Sequence, residues 1–180
     1  GSPGAGKSTI AEALVARLRS AVVLPMDGYH LPQARLVELG RRDRMGAPDT
    51  FDVDGFLATL SALRAVDNSG NPVLAPGFDR GIEEPVPDAI RILQELSTVV
   101  VEGNYLLLES GGWGRVAPLL DATVFVRVDR GVRLDRLIER HERFGKSPAD
   151  ARAWALGPDE RNAQLIEATA TRADRVVELP

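Results

Sequence analysis

The sequence predicts an α/β fold in which helices flank a doubly wound, mainly parallel sheet. Short apolar runs that end in turn residues alternate along the chain with stretches whose apolar residues recur at helical spacing. A glycine-rich octet also leads directly into one of these helical stretches, which is typical of folds that hold phosphate at a helix N-terminus. The length of 180 residues suits one compact domain, so we expect a single domain over residues 1–180.

Composition excludes several classes of function. The 22 basic and 26 acidic residues give a net charge of −4, which provides no general positive field for nucleic acid. Without cysteine, disulfides, thiolate zinc sites and cysteine nucleophiles are excluded, and two histidines are too few for a multi-histidine metal centre. No apolar run approaches the roughly 18 residues that span a bilayer, and no basic-then-apolar leader pattern is present. We expect a cytoplasmic protein that binds neither nucleic acid nor membranes; a homodimer stays open.

The strongest signal is a full match to the phosphate-binding pattern G-x-x-x-x-G-K-[ST], formed by Gly1, Ser2, Pro3, Gly4, Ala5, Gly6, Lys7 and Ser8 and followed by Thr9. Glycines let successive backbone N–H groups turn towards phosphate oxygens, and the helix that follows directs its positive dipole end at the same anion. The Lys7 ammonium is expected to bridge the terminal phosphates of ATP, and the Ser8 hydroxyl to bind Mg²⁺. The octet therefore predicts the P-loop NTPase fold, with ATP and Mg²⁺ as its ligands.

The first elements follow from the residues around this octet. Apolar residues at helical spacing predict a helix from about Ser8 to Arg19, and the apolar run Ala21–Leu24, ended by Pro25, predicts a buried strand. In a P-loop fold the strand before the octet is the central strand of the sheet. We therefore expect the sequence to start inside the natural protein and to lack that first strand.

Further elements complete the alternation. Strands are predicted at Thr98–Glu102, Ala122–Val128 and Arg175–Leu179, and helices at about Val53–Val66, Val132–Phe144 and Pro158–Thr171. Residues Ala89–Leu93 fit both a strand and a helix, and their alternation favours the strand. Gly, Pro and Asp are frequent in Gly40–Asp52 and Asn68–Pro87, which we interpret as long functional loops.

Acidic residues at the carboxyl ends of the predicted strands are candidates for chemistry, because ligands of open α/β sheets lie beyond these ends. Asp27 follows the first strand, although Asp27-Gly28 is also a common turn dipeptide. Glu102 closes a Val-Val-Val run, as a Walker-B-type acid does, with Glu in place of the usual Asp. Asp129 follows the third strand, where the cap of the next helix is its favoured role.

Four segments besides the octet resemble the P-loop kinases of the uridine kinase, type I pantothenate kinase and phosphoribulokinase group. They read Met-Asp-Gly-Tyr-His at 26–30, Pro-Asp-Thr-Phe-Asp at 48–52, Pro-Gly-Phe-Asp-Arg at 76–80 and Val-Val-Val-Glu-Gly at 99–103. The chain is also similar to bacterial proteins named as nucleoside or fructose-transport-system kinases. Two departures put uridine specificity in question, since His30 stands in place of Tyr and Glu83 falls near the base-contacting His of uridine kinases.

The resemblance implies an ATP-dependent phosphotransferase that acts on a hydroxyl of a small metabolite: a nucleoside such as uridine, pantothenate or a sugar. Asp27 would take the proton of that hydroxyl, Ser8 and Glu102 would organise Mg²⁺, and substrate contacts would come from Asp27, His30, Asp49, Phe51, Asp79, Arg80 and Glu102. Turn and cap roles for the aspartates, core packing for Phe51, and a loop histidine satisfied by the backbone for His30 are the alternatives. A nucleotide-binding regulator or an ATPase without an acceptor is the rival function.

The predicted helix Val132–Phe144 carries an arginine stripe, formed by Arg133, Arg136, Arg140 and Arg143. Its spacing alone favours a solvated face paired with acidic residues. By resemblance this helix instead leads into a lid at about 140–158, which would make Arg140 and Arg143 catalytic together with Lys7. His141 falls on the apolar face, so we expect a packed core histidine. Asp159 and Asn162 stay open between ligand contact and surface polarity.

Overall fold

The computed structural model describes residues 1–65, 70–93 and 95–180. Within these ranges the helices are α1 Lys7–Val15, α2 Gln33–Glu38, α3 Val53–Arg64, α4 Arg130–Arg143, α5 Pro148–Trp154 and α6 Glu160–Glu167. The strands are β1 Ala21–Pro25, β2 Val73–Asp79, β3 Glu84–Ile92, β4 Thr98–Glu102, β5 Val124–Val128 and β6 Arg175–Leu179. A π-helical turn at Ala155–Asp159 joins α5 to α6. The predicted α/β class is confirmed.

The parallel strands form two separate two-stranded sheets. β1 pairs with β4 in a register that sets Pro25 beside Glu102, and β5 pairs with β6 in a register that sets Val128 beside Leu179. The residues that follow β1 therefore lie at the same sheet edge as Glu102. This edge is the one at which α/β proteins bind their ligands.

An apolar groove of about 660 Å³ separates the two parallel pairs. Val99 and Val101 of β4 line one side, Val124 of β5 lines the other, and Leu14 of α1 adds to its floor. Gly1 runs against β5, since a Cβ at Gly1 would lie 2.2 Å from the Val126 carbonyl oxygen.

A cluster of aromatic side chains fixes the segment between α2 and α3. Trp113 is fully buried, packs edge-on against Phe51 at 5.7 Å between ring centroids, and donates from Nε1 to the Pro48 carbonyl at 3.1 Å. The Tyr105 hydroxyl donates to the Gly46 carbonyl at 2.5 Å. Residues 40–52 were expected to form a long loop, and they do so around two short 3₁₀ turns that these contacts hold in place.

The prediction of a long loop at Asn68–Pro87 is wrong for the residues of that segment that the structure describes. Residues Val73–Asp79 and Glu84–Ile92 form an antiparallel hairpin, with an irregularity between Ala75 and Gly77 that accommodates a proline in the strand. The same hairpin confirms the favoured strand over Ala89–Leu93 as far as Ile92.

Element ends differ from the predictions by a few residues. α1 stops at Val15 because the chain tightens into i→i+3 turns there, with the Arg17 N–H donating to Leu14. The helix predicted over Pro158–Thr171 instead starts as the π turn and ends at Glu167. The helix predicted over Val53–Val66 corresponds to α3, and its predicted end, Val66, lies outside the described residues.

Helix α4 corrects the interpretation of the arginine stripe. Asp129 caps the helix as predicted, accepting from the N–H groups of Gly131 and Val132. Arg133, however, is 5% exposed and pairs with Glu160 of α6, which also accepts from Arg130 at 2.7 Å. The stripe is therefore not one solvated face, because α6 covers its first turn. None of the helices in the described ranges has the length and apolarity that a bilayer crossing requires.

The Arg133–Glu160 pair gives a stability prediction. Burial raises the pKa of Glu160, but hydrogen bonds from Arg130 and Arg133 outweigh it and hold the pKa below its ordinary value of 4.5. Glu160→Gln should therefore lower the free energy of unfolding at pH 7 by about 3 kcal/mol or more, because it leaves Arg133 buried without a counter-charge. Because the pKa is depressed, this difference should shrink as the pH falls below about 4.5.

The control is Glu139→Gln on α4, since Glu139 pairs with Arg143 at 3.6 Å and both side chains are more than 70% exposed. This change should cost less than about 1 kcal/mol. Urea unfolding of both variants at pH 7 and pH 4 measures the effect, and equal losses in the two variants would contradict the buried pair.

Candidate active site

A cavity of about 320 Å³ opens at the carboxyl edge of β1 and β4. Six parts of the chain wall it: the phosphate loop, the turn after β1, the segment before α3, the β2–β3 hairpin, the end of β4 with the two residues after it, and α4 with the segment after it. These parts are far apart in the sequence, and the parallel register of β1 and β4 brings them to one place.

The phosphate loop has the backbone shape that its glycines allow. Gly4 and Gly6 have φ angles of +79° and +85°, and a Cβ at Gly4 would lie 2.8 Å from the Arg133 carbonyl oxygen. The Lys7 ammonium donates to the Ser2 carbonyl at 3.0 Å across the loop. Burial lowers the pKa of Lys7, while the carboxylates of Glu102 and Asp27 oppose that shift.

Six of the nine predicted phosphate-loop residues line the cavity: Pro3, Gly4, Gly6, Lys7, Ser8 and Thr9. The other three, Gly1, Ser2 and Ala5, pack behind it. The Ser2 side chain is buried, and its hydroxyl donates to Glu167 of α6 at 2.8 Å.

The residues predicted to bind a metal ion lie together. The Ser8 hydroxyl donates to Oε1 of Glu102 at 2.6 Å, which joins the phosphate loop to the end of β4. In the part of the chain that the structure describes, no three His, Asp or Glu side chains form a metal-binding group. Two oxygen donors suit Mg²⁺, which takes one or two protein ligands and completes its shell with phosphate and water.

Asp27 lies on a 3₁₀ turn, Met26–Tyr29, directly after β1. Arg80 of the hairpin donates to its Oδ2 at 2.6 Å. Burial raises the pKa of Asp27, but His30, followed by the positive charges of Arg80 and Lys7, holds it below its ordinary value. Asp27 is therefore a carboxylate at neutral pH, held by a cation and close to the phosphate loop.

His30 follows the same turn and is enclosed by aromatic rings. Its centroid lies 4.0 Å from that of Phe51 and 4.7 Å from that of Phe78. Its Nδ1 is 2.8 Å from the Asp27 carbonyl oxygen. Burial lowers the pKa of His30, so the ring is neutral at pH 7.

The two arginines predicted to be catalytic, Arg140 and Arg143, have different surroundings. Arg140 lines the cavity, whereas Arg143 lies on the exposed face beside Glu139. Arg136 also reaches the site, with a guanidinium nitrogen 3.7 Å from the position of a Cβ at Gly6. Beyond α4, the Lys146 ammonium stands 4.9 Å from the centre of the Trp154 ring, and both residues line the cavity.

The expectation of a packed core histidine at 141 is wrong. His141 lines the cavity, and its Nε2 lies 2.7 Å from Oδ2 of Asp159. Asn162 also lines the cavity and donates to the Gly46 carbonyl at 3.2 Å. Sequence spacing placed His141 on the apolar face of α4. In the structure His141 meets Asp159, a polar residue of the π turn.

Of the predicted substrate contacts, His30, Phe51, Arg80, Asp27 and Glu102 line the cavity, whereas Asp49 and Asp79 do not. Asp49 pairs with Arg44 at 2.8 Å. Asp79 accepts from the Gly81 N–H at 2.8 Å. Both aspartates therefore stabilise their own loops in this structure.

Several cavity residues were not predicted from the sequence: Arg42, Met45, Phe78, Asn104, Arg136 and Trp154. Phe78 and Asn104 lie in or next to segments that carry the resemblance, so those segments contained a usable signal. The other residues lie in segments whose sequence pattern does not indicate that they come close to the phosphate loop.

The chain is similar in sequence to proteins that are named as kinases. No family model matches the chain. The chain is 40% identical over 148 residues to ATP-dependent kinase-like protein notR' of Aspergillus versicolor, covering 78% of this chain and 86% of that protein. It is 34% identical over 154 residues to a Schizosaccharomyces pombe protein named as a uridine kinase, C227.14, covering 78% of this chain and 63% of that protein.

A solved structure agrees with these relatives. A protein from Silicibacter sp. TM1040, named as a fructose transport system kinase, superposes with a TM-score of 0.84 at 34% identity. The match covers 98% of this chain and 85% of that one.

The loop geometry predicts that Lys7→Ala removes most of the affinity for MgATP, because the ammonium is the positive charge that the loop itself supplies to phosphate. Calorimetric titration with MgATP should show the loss, and thermal unfolding should show an unchanged fold. Lys7→Arg, which keeps the charge but not the compact ammonium, should recover only part of the affinity. Wild-type affinity in Lys7→Ala would contradict the assignment.

Proposed function

The chain belongs to the P-loop ATP-dependent kinases of the uridine kinase group, and from that premise we propose that it transfers the γ-phosphoryl group of ATP to a hydroxyl of a small metabolite. The observation that carries the proposal is the single cavity that joins the phosphate loop to the Asp27 carboxylate. A nucleotide loop alone would serve a regulator as well. A carboxylate placed beside it serves a hydroxyl acceptor.

In the proposed reaction an acceptor oxygen bonds to the γ-phosphorus while the bond from that phosphorus to the bridging oxygen of ADP breaks. The acceptor proton passes to Asp27, whose low pKa keeps it ionised and ready to accept a hydrogen bond from the hydroxyl. Because phosphoryl transfer through a loose transition state needs mainly positioning and charge stabilisation, a weak base in the right place is sufficient.

Lys7 and Arg140 supply positive charge to the phosphoryl oxygens in this proposal. Both line the cavity and are half-buried, and burial lowers the pKa of each. In such a site a fixed cation stabilises developing charge more strongly than it does in water. Ser8 and Glu102 would hold Mg²⁺, which when bound neutralises charge on the phosphate oxygens.

The acceptor would lie between the turn after β1 and the hairpin, in contact with His30, Phe51 and Arg80. We assign Asp49 and Asp79 to the structure of the loops that carry these residues. The segment at about 140–158, which contains Arg140, Lys146 and α5, would form the lid of a single kinase domain over residues 1–180.

The test is ADP release with a panel of acceptors: uridine and other nucleosides, pantothenate, and simple sugars. A kinase should release ADP quickly only with a suitable acceptor, and mass spectrometry should then find one added phosphoryl group on it. Slow hydrolysis that no acceptor accelerates would favour the rival function, an ATPase or nucleotide-binding regulator.

Asp27→Asn should lower kcat by about 100-fold or more, because the amide cannot take the acceptor proton. The dissociation constant of MgATP should change little, since Asp27 lies on the acceptor side of the loop. Parallel losses in binding and turnover would instead assign Asp27 to the metal site.

Arg140→Ala and Arg143→Ala form a matched pair on one helix. Arg140→Ala should lower kcat at least tenfold, which corresponds to about 1.4 kcal/mol of barrier, because its guanidinium faces the phosphoryl group in the proposal. Arg143→Ala should stay within about threefold of the wild type, since its exposed pair with Glu139 is worth at most about 1 kcal/mol of stability. Steady-state kinetics decide, and a larger loss in Arg143→Ala would return it to the catalytic set.

A further inference from the structure

We infer that His141 and Asp159 are positioning residues, and that the hydrogen bond between them holds the last turn of α4, with the Arg140 guanidinium, at the cavity. This inference rests on the proposed function, in which Arg140 supplies positive charge to the phosphoryl oxygens. It assigns a role to a buried pair that the proposed reaction does not itself use.

The pair joins two elements of the cavity wall. His141 lies in the last turn of α4 and Asp159 at the end of the π turn, and the distance from Nε2 to Oδ2 is 2.7 Å. Both residues line the cavity, and their side chains are only 15% and 11% exposed. A buried polar pair contributes little to stability compared with apolar side chains of similar volume. We therefore assign it to the geometry of the two elements that it joins.

His141 is the side chain through which the last turn of α4 is bonded to the rest of the protein. Among the residues that the structure describes, the side chains of Arg140 and Glu142 make no hydrogen bond or ion pair. Arg143 pairs with Glu139, which belongs to the same helix. Without His141, the turn that carries Arg140 would be held by backbone hydrogen bonds and apolar packing alone.

Arg140 needs such a contact because a second cation faces it. Burial lowers the pKa of Arg140, and the positive charge of Arg80 in the same cavity adds to that effect. Asp159 is the carboxylate that opposes this shift most, ahead of Asp27 and Glu102. A long side chain that is repelled by a like charge and bonded to no neighbour would turn towards water. The Asp159 carboxylate, fixed by His141, attracts it into the site.

The π turn gives the pair a firm base. Three residues after Asp159, Asn162 donates to the Gly46 carbonyl at 3.2 Å, and the Tyr105 hydroxyl donates to the same carbonyl at 2.5 Å. Tyr105 is fully buried. His141 therefore ties α4 to an element that is itself anchored to the segment before α3.

The first experiment measures the mobility of Arg140 in the whole chain without substrates, by ¹⁵N relaxation of its side-chain Nε–H group, with Arg140→Lys to assign the signal. We expect the order parameter to fall in His141→Ala and in Asp159→Ala. It should return towards the wild-type value in His141→Gln, whose amide nitrogen can donate to Asp159. Arg136, one turn earlier in the same cavity wall, is the internal control and should keep its order parameter.

An unchanged order parameter of Arg140 in His141→Ala, or an equal fall at Arg136 and Arg140, would overturn the inference. Neither result depends on whether the protein is a kinase.

The second experiment is a double-mutant cycle on kcat, with the acceptor that gives the fastest ADP release. His141→Ala should lower kcat by about tenfold, because a small displacement of a group that stabilises the transition state is enough for such a loss. The dissociation constant of MgATP should change less than about threefold, since the contact is made in the transition state. The same change in an Arg140→Ala background should cause no further loss, and His141→Gln should recover part of kcat.

Glu142→Ala is the matched control, since Glu142 is exposed in the same turn of α4. It should keep kcat within about twofold of the wild type, as surface substitutions usually do. Equal losses from His141→Ala with and without Arg140 would show that His141 acts on a substrate directly, and would contradict the inference, as would a wild-type kcat in His141→Ala. Failure of every acceptor would instead contradict the proposed function, and the relaxation of Arg140 then decides the inference.

Discussion

The arrangement of the cavity depends on helix α6, which contacts three of its walls. Glu167 accepts from the Ser2 hydroxyl of the phosphate loop, Glu160 pairs with Arg133 of α4, and Asn162 donates to the Gly46 carbonyl. These contacts lie within eight residues of one helix, so the distances between the walls follow from its geometry. Movement of α6 would displace the phosphate loop and the Gly46 segment together.

The charged side chains of the site are distributed unevenly over the cavity. Acidic side chains pair with arginines on the acceptor side, while Lys7 and Arg140 face the phosphate loop side of the cavity. An anionic nucleotide would add its negative charge to that of Glu102 and Asp27, the carboxylates that act on both cations in the free protein. The cavity thus separates a neutral region from a cationic one over a short distance, a division that suits a transfer from ATP to a hydroxyl.

Sequence reasoning found those parts of the fold that depend on local patterns. The phosphate loop, the strand Thr98–Glu102, the strand Arg175–Leu179 and the Asp129 cap were predicted because each depends on a few adjacent residues. The burial of Arg133 was missed because its partner, Glu160, is 27 positions away along the chain. The hairpin was missed because its Pro and Gly residues also fit a loop, and only pairing across the two strands distinguishes them.

In the site, too, features that depend on adjacent residues were predicted, and features that depend on tertiary packing were not. Asp27, His30, Phe51, Arg80 and Glu102 were found through adjacent motif residues, and all five line the cavity. Spacing along α4 could not separate Arg140 from Arg143, since both lie on a stripe whose surroundings are set by tertiary packing. The pair of His141 with Asp159 depends on the π turn, which shifts the phase of the helix and has no simple sequence signature.

The chain contains two tryptophans, and their positions give it a built-in optical reporter. Trp113 is fully enclosed in the aromatic cluster, so its emission provides a constant background. Trp154 lies at the cavity wall with the Lys146 ammonium over its ring, where an electrical change in the neighbourhood alters the indole emission. Fluorescence of the unlabelled protein therefore reports on the surroundings of Trp154 at the cavity wall without any introduced dye.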